Sequence, residues 1–384
     1  MCNRAKNRLI GLFLAAFVAT AMLFSTPRAL GAPVPTAEEV TNLPEELIVL
    51  LDEALYGLSL SDDLRLDALI DLMLSPEGMG LQYVLQPTHS VADTFRHGEG
   101  NCLSLTLLFL AMAEYANINV RAREVQVPLS WHRTGATLFQ TSHVNVLVTM
   151  PTRRAVVDFE PDPNQARRNS LRYTGRDISH ERLLAHFYNN RSAELLASGD
   201  VEAARQWSIQ ALALDPTFTQ AVNNRGVIEN RDGQTEDAKA FYHQALALDA
   251  GNTSTLFNLI NLHTQLGEIE AADQYRTKLE ALRPEDPFFL WQIGTEYEAN
   301  KEIRRARRMY RRALALLPNE TLFLISFARA SSELGDIDQA LQAISTAIGA
   351  LEKDPDHASA PNQLDELRAM KAALQGKTVS TTAL

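Results

Sequence analysis

The chain has 384 residues, 46% of them apolar and 22% charged, and a net charge of −11 at pH 7. That is too long for one ordinary domain, so two or three are expected, and the balance is that of a soluble globular protein with enough apolar material for a sizeable core. The acidic excess argues against general nucleic-acid binding, which calls for a basic face.

Arg4, Lys6 and Arg8 precede an uncharged apolar run from Leu9 to Phe24, and Ala29-Leu30-Gly31 then offers a small-x-small cleavage pattern. Residues 1–31 read as a secretory signal peptide or as an uncleaved N-terminal anchor, since the run is nearly long enough to span a bilayer. Either reading sends the rest of the chain across a membrane, to a periplasmic or secreted location. Membrane contact is then expected only through the N-terminal segment, if it stays uncleaved. No later segment is apolar enough to cross. Cleavage removes four basic and no acidic residues, which takes the net charge from −11 to −15. It also removes Cys2 and leaves Cys102 as the sole thiol. No intramolecular disulfide can form, and such a cysteine is either well buried or kept for chemistry.

Residues 33–96 read as mainly helical. Leu47, Leu50, Leu51 and Leu55 recur at helical spacing, and a second amphipathic run follows Ser61-Asp62-Asp63, a natural N-cap region. Leu103 to Tyr115 is apolar on nearly all faces, with only Ser104, Thr106 and Glu114 polar, as in a buried helix. Asn117 and Asn119 mark its end. "VRAREVQV" alternates like a half-buried strand, and "HVNVLVTM" and "RAVVDFE", separated by "PTR", suggest a hairpin. The expected order is helix, strand, then antiparallel strands.

The C-terminal half repeats with a period of 34. "ALALDP" at 211, "ALALDA" at 245 and "ALALLP" at 313 are in phase, as are Ala204, Ala238, Ala272, Ala306 and Ala340. Gly199, Gly233 and Gly267 follow the same period, and Gly335 returns on phase. Small residues at that interval let two antiparallel helices approach closely, and each pair buries its face only against its neighbours. This pattern resembles five tetratricopeptide repeats over 185–354, followed by a capping helix and a disordered tail over 355–384.

Cys102 follows a Gly-Glu-Gly-Asn turn at the head of the apolar helix. There it would lie beside unpaired backbone N–H groups and the positive end of the helix dipole, which favour thiolate and can serve an oxyanion. A thiol nucleophile needs a base. Among the histidines before the repeats, only His143 opens a clear strand, with Asp158 fifteen residues later on the expected partner strand. Folding the hairpin about Pro151-Thr152 brings Asp158 opposite His143 or within two residues of it. Cys102 then reads as nucleophile, His143 as base and acid, and Asp158 as its orienter. Each has a plain alternative: a packed core cysteine, a satisfied strand histidine, a strand-capping aspartate. The ordered trio, each member on the right kind of element, favours chemistry.

That trio also carries a family resemblance. "GNCLSLTLLFLAMAEYANINVRA" resembles the cysteine-bearing helix of the transglutaminase-like superfamily, "SHVNVLV" its histidine strand and "VVDFEPD" its aspartate strand, in that order. The resemblance covers about residues 80–162 and implies a papain-like α+β domain over 33–180, with Cys102, His143 and Asp158 as the catalytic triad. The residue after the cysteine is Leu103 where the animal enzymes have Trp, and Trp131 is the candidate for the oxyanion region. The chain most resembles exported bacterial proteins that join such a domain to tetratricopeptide repeats.

"KEIRRARRMYRR" at 301–312 holds seven basic residues and falls on the second helix of repeat four, a solvated face or a docking patch for an acidic partner or anionic lipid. Repeat phase places Asn223, Phe257, Trp291 and Ile325 at the groove position of successive repeats, where they could grip an extended peptide. One thiol and scattered histidines make no zinc spacing, and no P-loop or dinucleotide motif precedes a helix, so no metal and no cofactor are expected. Two functions are then in contention. One is an exported cysteine-dependent amide-bond enzyme, a hydrolase of protease or amidase type, working through a thioester on a protein or peptide that the repeats recruit. The other is a non-catalytic envelope scaffold that binds other envelope proteins through its repeats.

Overall fold

The computed structural model describes residues 33–58, 61–134, 137–151, 153–159, 175–282, 287–299, 301–352 and 361–382; the expected signal peptide or anchor lies outside them. No helix among the described residues is long and apolar enough to cross a membrane.

The N-terminal region is built around one helix. Four helices precede it: α1 (Ala37–Thr41), α2 (Glu45–Ala54), α3 (Asp62–Leu74) and α4 (Val91–His97). Ser61 caps α3, its Oγ accepting from the Leu64 N–H. The two-residue strands β1 (Gln82–Tyr83) and β2 (Glu99–Gly100) pair in parallel and bracket α4. Helix α5 (Cys102–Tyr115) buries Leu103 to Leu110, Met112 and Ala113, because a helix without a polar face has no side to give to water. The Arg65 guanidinium on α3 bonds the Ala116 carbonyl at its C-terminal end, and Asn117 leaves the helix at a φ of 55°.

A four-stranded antiparallel sheet, ordered β5-β4-β3-β6, packs on α5. Its strands are β3 (Val120–Thr134), β4 (Thr137–Thr149), β5 (Arg154–Val157) and β6 (Gly175–Asp177). The hairpin of β3 and β4 is longer than the alternation suggested. Pairing continues past an irregularity between Val125 and Ser130 to Thr134 opposite Thr137. His143 therefore sits inside its strand instead of opening it. Val144, Val146 and Val148 join Leu105, Leu108 and Phe109 in one hydrophobic core with Leu47, Leu51, Leu69 and Met73 of the preceding helices.

Five antiparallel helix pairs follow: α6 (His180–Ala197) with α7 (Val201–Leu214), α8 (Thr219–Arg231) with α9 (Thr235–Leu248), α10 (Thr253–Gln265) with α11 (Ile269–Leu282), α12 (Pro287–Ala299) with α13 (Ile303–Leu316), and α14 (Thr321–Glu333) with α15 (Ile337–Leu351). They form an all-α tetratricopeptide-like solenoid. The 34-residue alanines are all fully buried or nearly so, where two helices of a pair meet. Helix α16 (Pro361–Thr382) closes the array with Leu367 and Leu374 buried against the last pair, and its backbone runs through much of the segment expected to be a disordered tail. On α13, Arg305 pairs with Glu302 and Arg307 with Asp336, so the basic run is partly neutralised by its own neighbours.

The first repeat is not a separate body. Leu183, Leu184, Phe187, Tyr188, Ala211, Phe218 and Ala221 belong to the same hydrophobic core as α5. A polar seam crosses the junction beside it. Glu124 on β3 accepts from Arg182 Nε and bonds His186 Nε2, each at 2.7 Å, and Arg182 also bonds Asp215 while lying 3.9 Å over the Phe218 ring. Burial works against a charged Glu124, but His186 and Arg182 outweigh it and hold the carboxyl well below its usual range. His186 is buried, and that burial lowers its pKa against the pull of the Glu124 carboxylate.

Two backbone positions in the array give direct tests. Gly226 faces Tyr242 so closely that an added Cβ would lie 2.5 Å from the ring. Gly226→Ala should cost about 1–3 kcal/mol through overpacking, read by denaturant unfolding. Lys301 occupies the turn position that Gly267 and Gly335 hold in the neighbouring repeats, at a φ of 62°. Lys301→Gly should raise stability by roughly 0.5–1 kcal/mol in the same measurement, because the left-handed conformation strains an L side chain more than it strains glycine.

Candidate active site

Asn101 starts α5. Its side-chain oxygen accepts from the Ser104 N–H at 3.0 Å, which places Cys102 as the first residue of the helix. The Cys102 and Leu103 N–H groups lie in the first turn, where the helix ladder offers them no acceptor. Cys102 is a free thiol and is partly exposed, whereas Leu103 to Leu110 behind it are buried.

His143 reaches this helix head from β4. Its Nε2 lies 2.7 Å from Asp158 Oδ1, and the ring is close enough to Cys102 for the sulfur to act on its proton affinity. Asp158 follows directly on β5. The β4–β5 register pairs Val146 with Val157, so Asp158 stands across from Asn145, and His143 lies two residues along on the same face of β4. Burial disfavours a charged His143, but the hydrogen bonds and charges of Asp158 and Cys102 overcome it and raise its pKa to about 10. The structure therefore brings Cys102, His143 and Asp158 together. It adds a residue the sequence reading missed: Asn145 Nδ2 donates to Asp158 Oδ2 at 3.1 Å, so the carboxylate is held at both oxygens. Its position two residues after His143 was the available signal, since alternate strand residues share a face.

The other sequence-predicted positions lie elsewhere. Trp131 is on β3, paired with Gln140 on the outer part of the hairpin, and its side chain is outside the described ones. The four groove positions sit on the first helices of successive pairs, α8, α10, α12 and α14. Asn223 and Phe257 are buried. Asn223 Oδ1 accepts from Asn258 at 2.9 Å, and the Phe257 ring meets Phe289 edge-on. Trp291 and Ile325 are half-buried, with Trp291 Nε1 donating to Ser326 at 2.9 Å. Asn223, Phe257 and Trp291 each tie their repeat to the next. No cluster of three metal-ligating side chains occurs among the described residues.

No protein-family model matches the chain, and no curated protein matches it. Among solved structures it is similar to a thermophilic tetratricopeptide-repeat protein of Thermus thermophilus, with 20% identity over 50% of this chain and 98% of that one and a TM-score of 0.40. It is similar to Pseudomonas aeruginosa pilF, with 20% identity over 51% and 90% and a TM-score of 0.39. A tetratricopeptide repeat protein from Parabacteroides merdae shares 22% identity over 52% and 76%, with a TM-score of 0.37. The repeat region of this chain is defined by its own 34-residue succession of helix pairs.

His143 binds its proton more tightly in the folded chain than its ordinary value near 6.5 allows. Its contribution to stability is then whole below about pH 6.5 and is lost as pH rises through about 10. Thermal unfolding should show that alkaline decline in the wild type, and Asp158→Asn should flatten it. An equally steep decline in the variant would remove the pair as its source.

Proposed function

We propose that this chain joins a protein-binding helical array to a cysteine-dependent amide-bond site and acts as an exported hydrolase on a protein or peptide. The array by itself supports a role in protein–protein interaction, because stacked helix pairs present an extended surface to a partner. The chemistry rests on one observation: the His143 ring, bonded to the Asp158 carboxylate, stands close to Cys102 at the head of a helix. The resemblance to the transglutaminase-like superfamily, with its papain-like fold, points the same way.

In this reading the Cys102 sulfur attacks an amide carbonyl and the carbonyl oxygen takes the negative charge. The N–H groups of the first helical turn serve that oxygen as donors. Protonated His143 gives its proton to the leaving amine as the C–N bond breaks, which leaves a thioester on Cys102. Water then attacks the thioester, His143 takes its proton, and the acid product leaves with the thiol restored. Asp158, held by Asn145, keeps the imidazole turned toward the sulfur throughout. Water is the acceptor because nothing marks a site for an amine.

A non-catalytic envelope scaffold is the second reading. It is favoured by the array itself, whose interaction surface needs no chemistry to be useful. Cys102→Ala separates the two. The enzyme reading expects the variant to fold as the wild type does, to lose at least about a thousandfold in turnover and to form no trappable thioester. Complementation of a deletion strain by Cys102→Ala as well as by the wild type would end the enzyme reading and leave the scaffold.

A further inference from the structure

Glu194, on the first helix of the array, is hydrogen-bonded into the head of the cysteine helix. Its Oε1 accepts from the Thr88 N–H at 2.9 Å and from the Thr88 hydroxyl at 2.8 Å. Thr88 Oγ1 accepts in turn from Asn101 Nδ2 at 2.8 Å. The Asn101 amide oxygen accepts from both the N–H and the hydroxyl of Ser104, each at 3.0 Å. Ser104 Oγ accepts from the His89 N–H at 2.8 Å. Thr88, Asn101 and Ser104 are buried, and the Glu194 side chain is only 12% exposed.

The direction of every bond follows from the first. An ionised carboxylate only accepts, so the Thr88 hydroxyl must point at Glu194. The lone pairs of that hydroxyl are then what Asn101 meets, and only the amide NH2 can answer them. The amide is thereby turned so that its oxygen faces Ser104. That orientation is the one that caps α5; the flipped amide would set NH2 against the Ser104 N–H. Cys102 is the residue between the cap and the bonded turn. Arg191 Nη1, 2.5 Å from Glu194 Oε2, fixes the carboxylate from the other side.

We propose that Glu194, acting through Thr88 and Asn101, is a positioning residue for the Cys102 thiol, so that the first repeat helix is part of the site. The inference deepens the reading of Cys102 as the reacting group and rests on it. It concerns placement of the thiol, so it can be tested without turnover.

The test is the rate of iodoacetamide alkylation of the full-length native protein, read by mass spectrometry on the peptide that contains Cys102. Thr88→Val removes the hydroxyl at constant shape, and Glu194→Ala removes the acceptor. Thr88→Ser and Glu194→Gln keep an oxygen in place. Labelling should fall about fivefold or more in the first two, the effect of one lost hydrogen bond, and stay within about twofold of wild type in the second two. Rescue by the conservative variants is what a merely structural role does not give. If the buried Thr88→Val fails to fold, the Glu194 pair on the array decides alone. Equal rates in all variants would overturn the proposal, as would an equal fall in the Gln and Ala variants, or a rise in any of them. Tether-dependent labelling in a chain whose Cys102→Ala variant complements fully would keep the tether and discard the hydrolase.

Discussion

A helix with no polar face has to be enclosed on every side, and α5 imposes that condition on the N-terminal region. The sheet covers it from one direction, and α1 to α4 and the first repeat supply the rest of one continuous core. Glu114 and Tyr115 reach solvent at its far end, and at its head the first residue stays partly exposed. Asn101 ends the preceding turn by capping the helix, so the enclosure that seals Leu103 to Leu110 leaves Cys102 partly exposed at the helix N-terminus. Burial of the helix and accessibility of the thiol are two consequences of one apolar run with one cap.

The same core explains why the array begins where it does. Phe187 and Tyr188 of α6 and Phe218 before α8 are large side chains turned toward the N-terminal region, and the Tyr188 hydroxyl donates to the Pro35 carbonyl. Charges at this junction are satisfied in place. Glu124 takes Arg182, Arg176 and His186, and Glu194 takes Thr88 and Arg191. A half-buried carboxylate with several donors is costly to disturb one partner at a time, which makes the relation between the first repeat and the cysteine helix a specific one. Further along, the repeats depend only on their neighbours. Side-chain bonds join α6 to α8 through Asn189 and Asn224, α8 to α10 through Asn223 and Asn258, and α12 to α14 through Trp291 and Ser326, while the Phe257 and Phe289 rings join α10 to α12.

Different parts of this design were legible to different degrees. The 34-residue period announced five helix pairs, because each repeat meets the same local problem and solves it with the same small residues. Lys301 is instructive as the exception: the phase called for glycine, and the backbone takes a left-handed φ there regardless, since the tight turn between helices requires it. The proximity of His143 to Asp158 was legible from hairpin arithmetic. The start of β4 was not, because pairing resumes beyond an irregularity that alternation cannot foresee. Asn145 was overlooked because a strand asparagine is by itself unremarkable until a carboxylate lies across from it. The groove positions were placed by phase alone, and phase does not report that Asn223 and Phe257 are consumed in contacts between repeats.

The sequence by itself determined what is local and periodic: the buried helix behind Cys102, the alternating strands, and the succession of helix pairs. These follow from side-chain spacing within a few turns or one strand, and a reader needs no coordinates to see them. The tertiary structure alone decided what is joined across distance. It set the His143 ring against Asp158 and close to Cys102, brought Asn145 to the second carboxylate oxygen, and ran hydrogen bonds from Glu194 through Thr88 to the cap of α5. Glu194 and Thr88 are 106 residues apart. No periodicity links them. Their meeting depends on how one apolar helix recruits its cover from both halves of the chain.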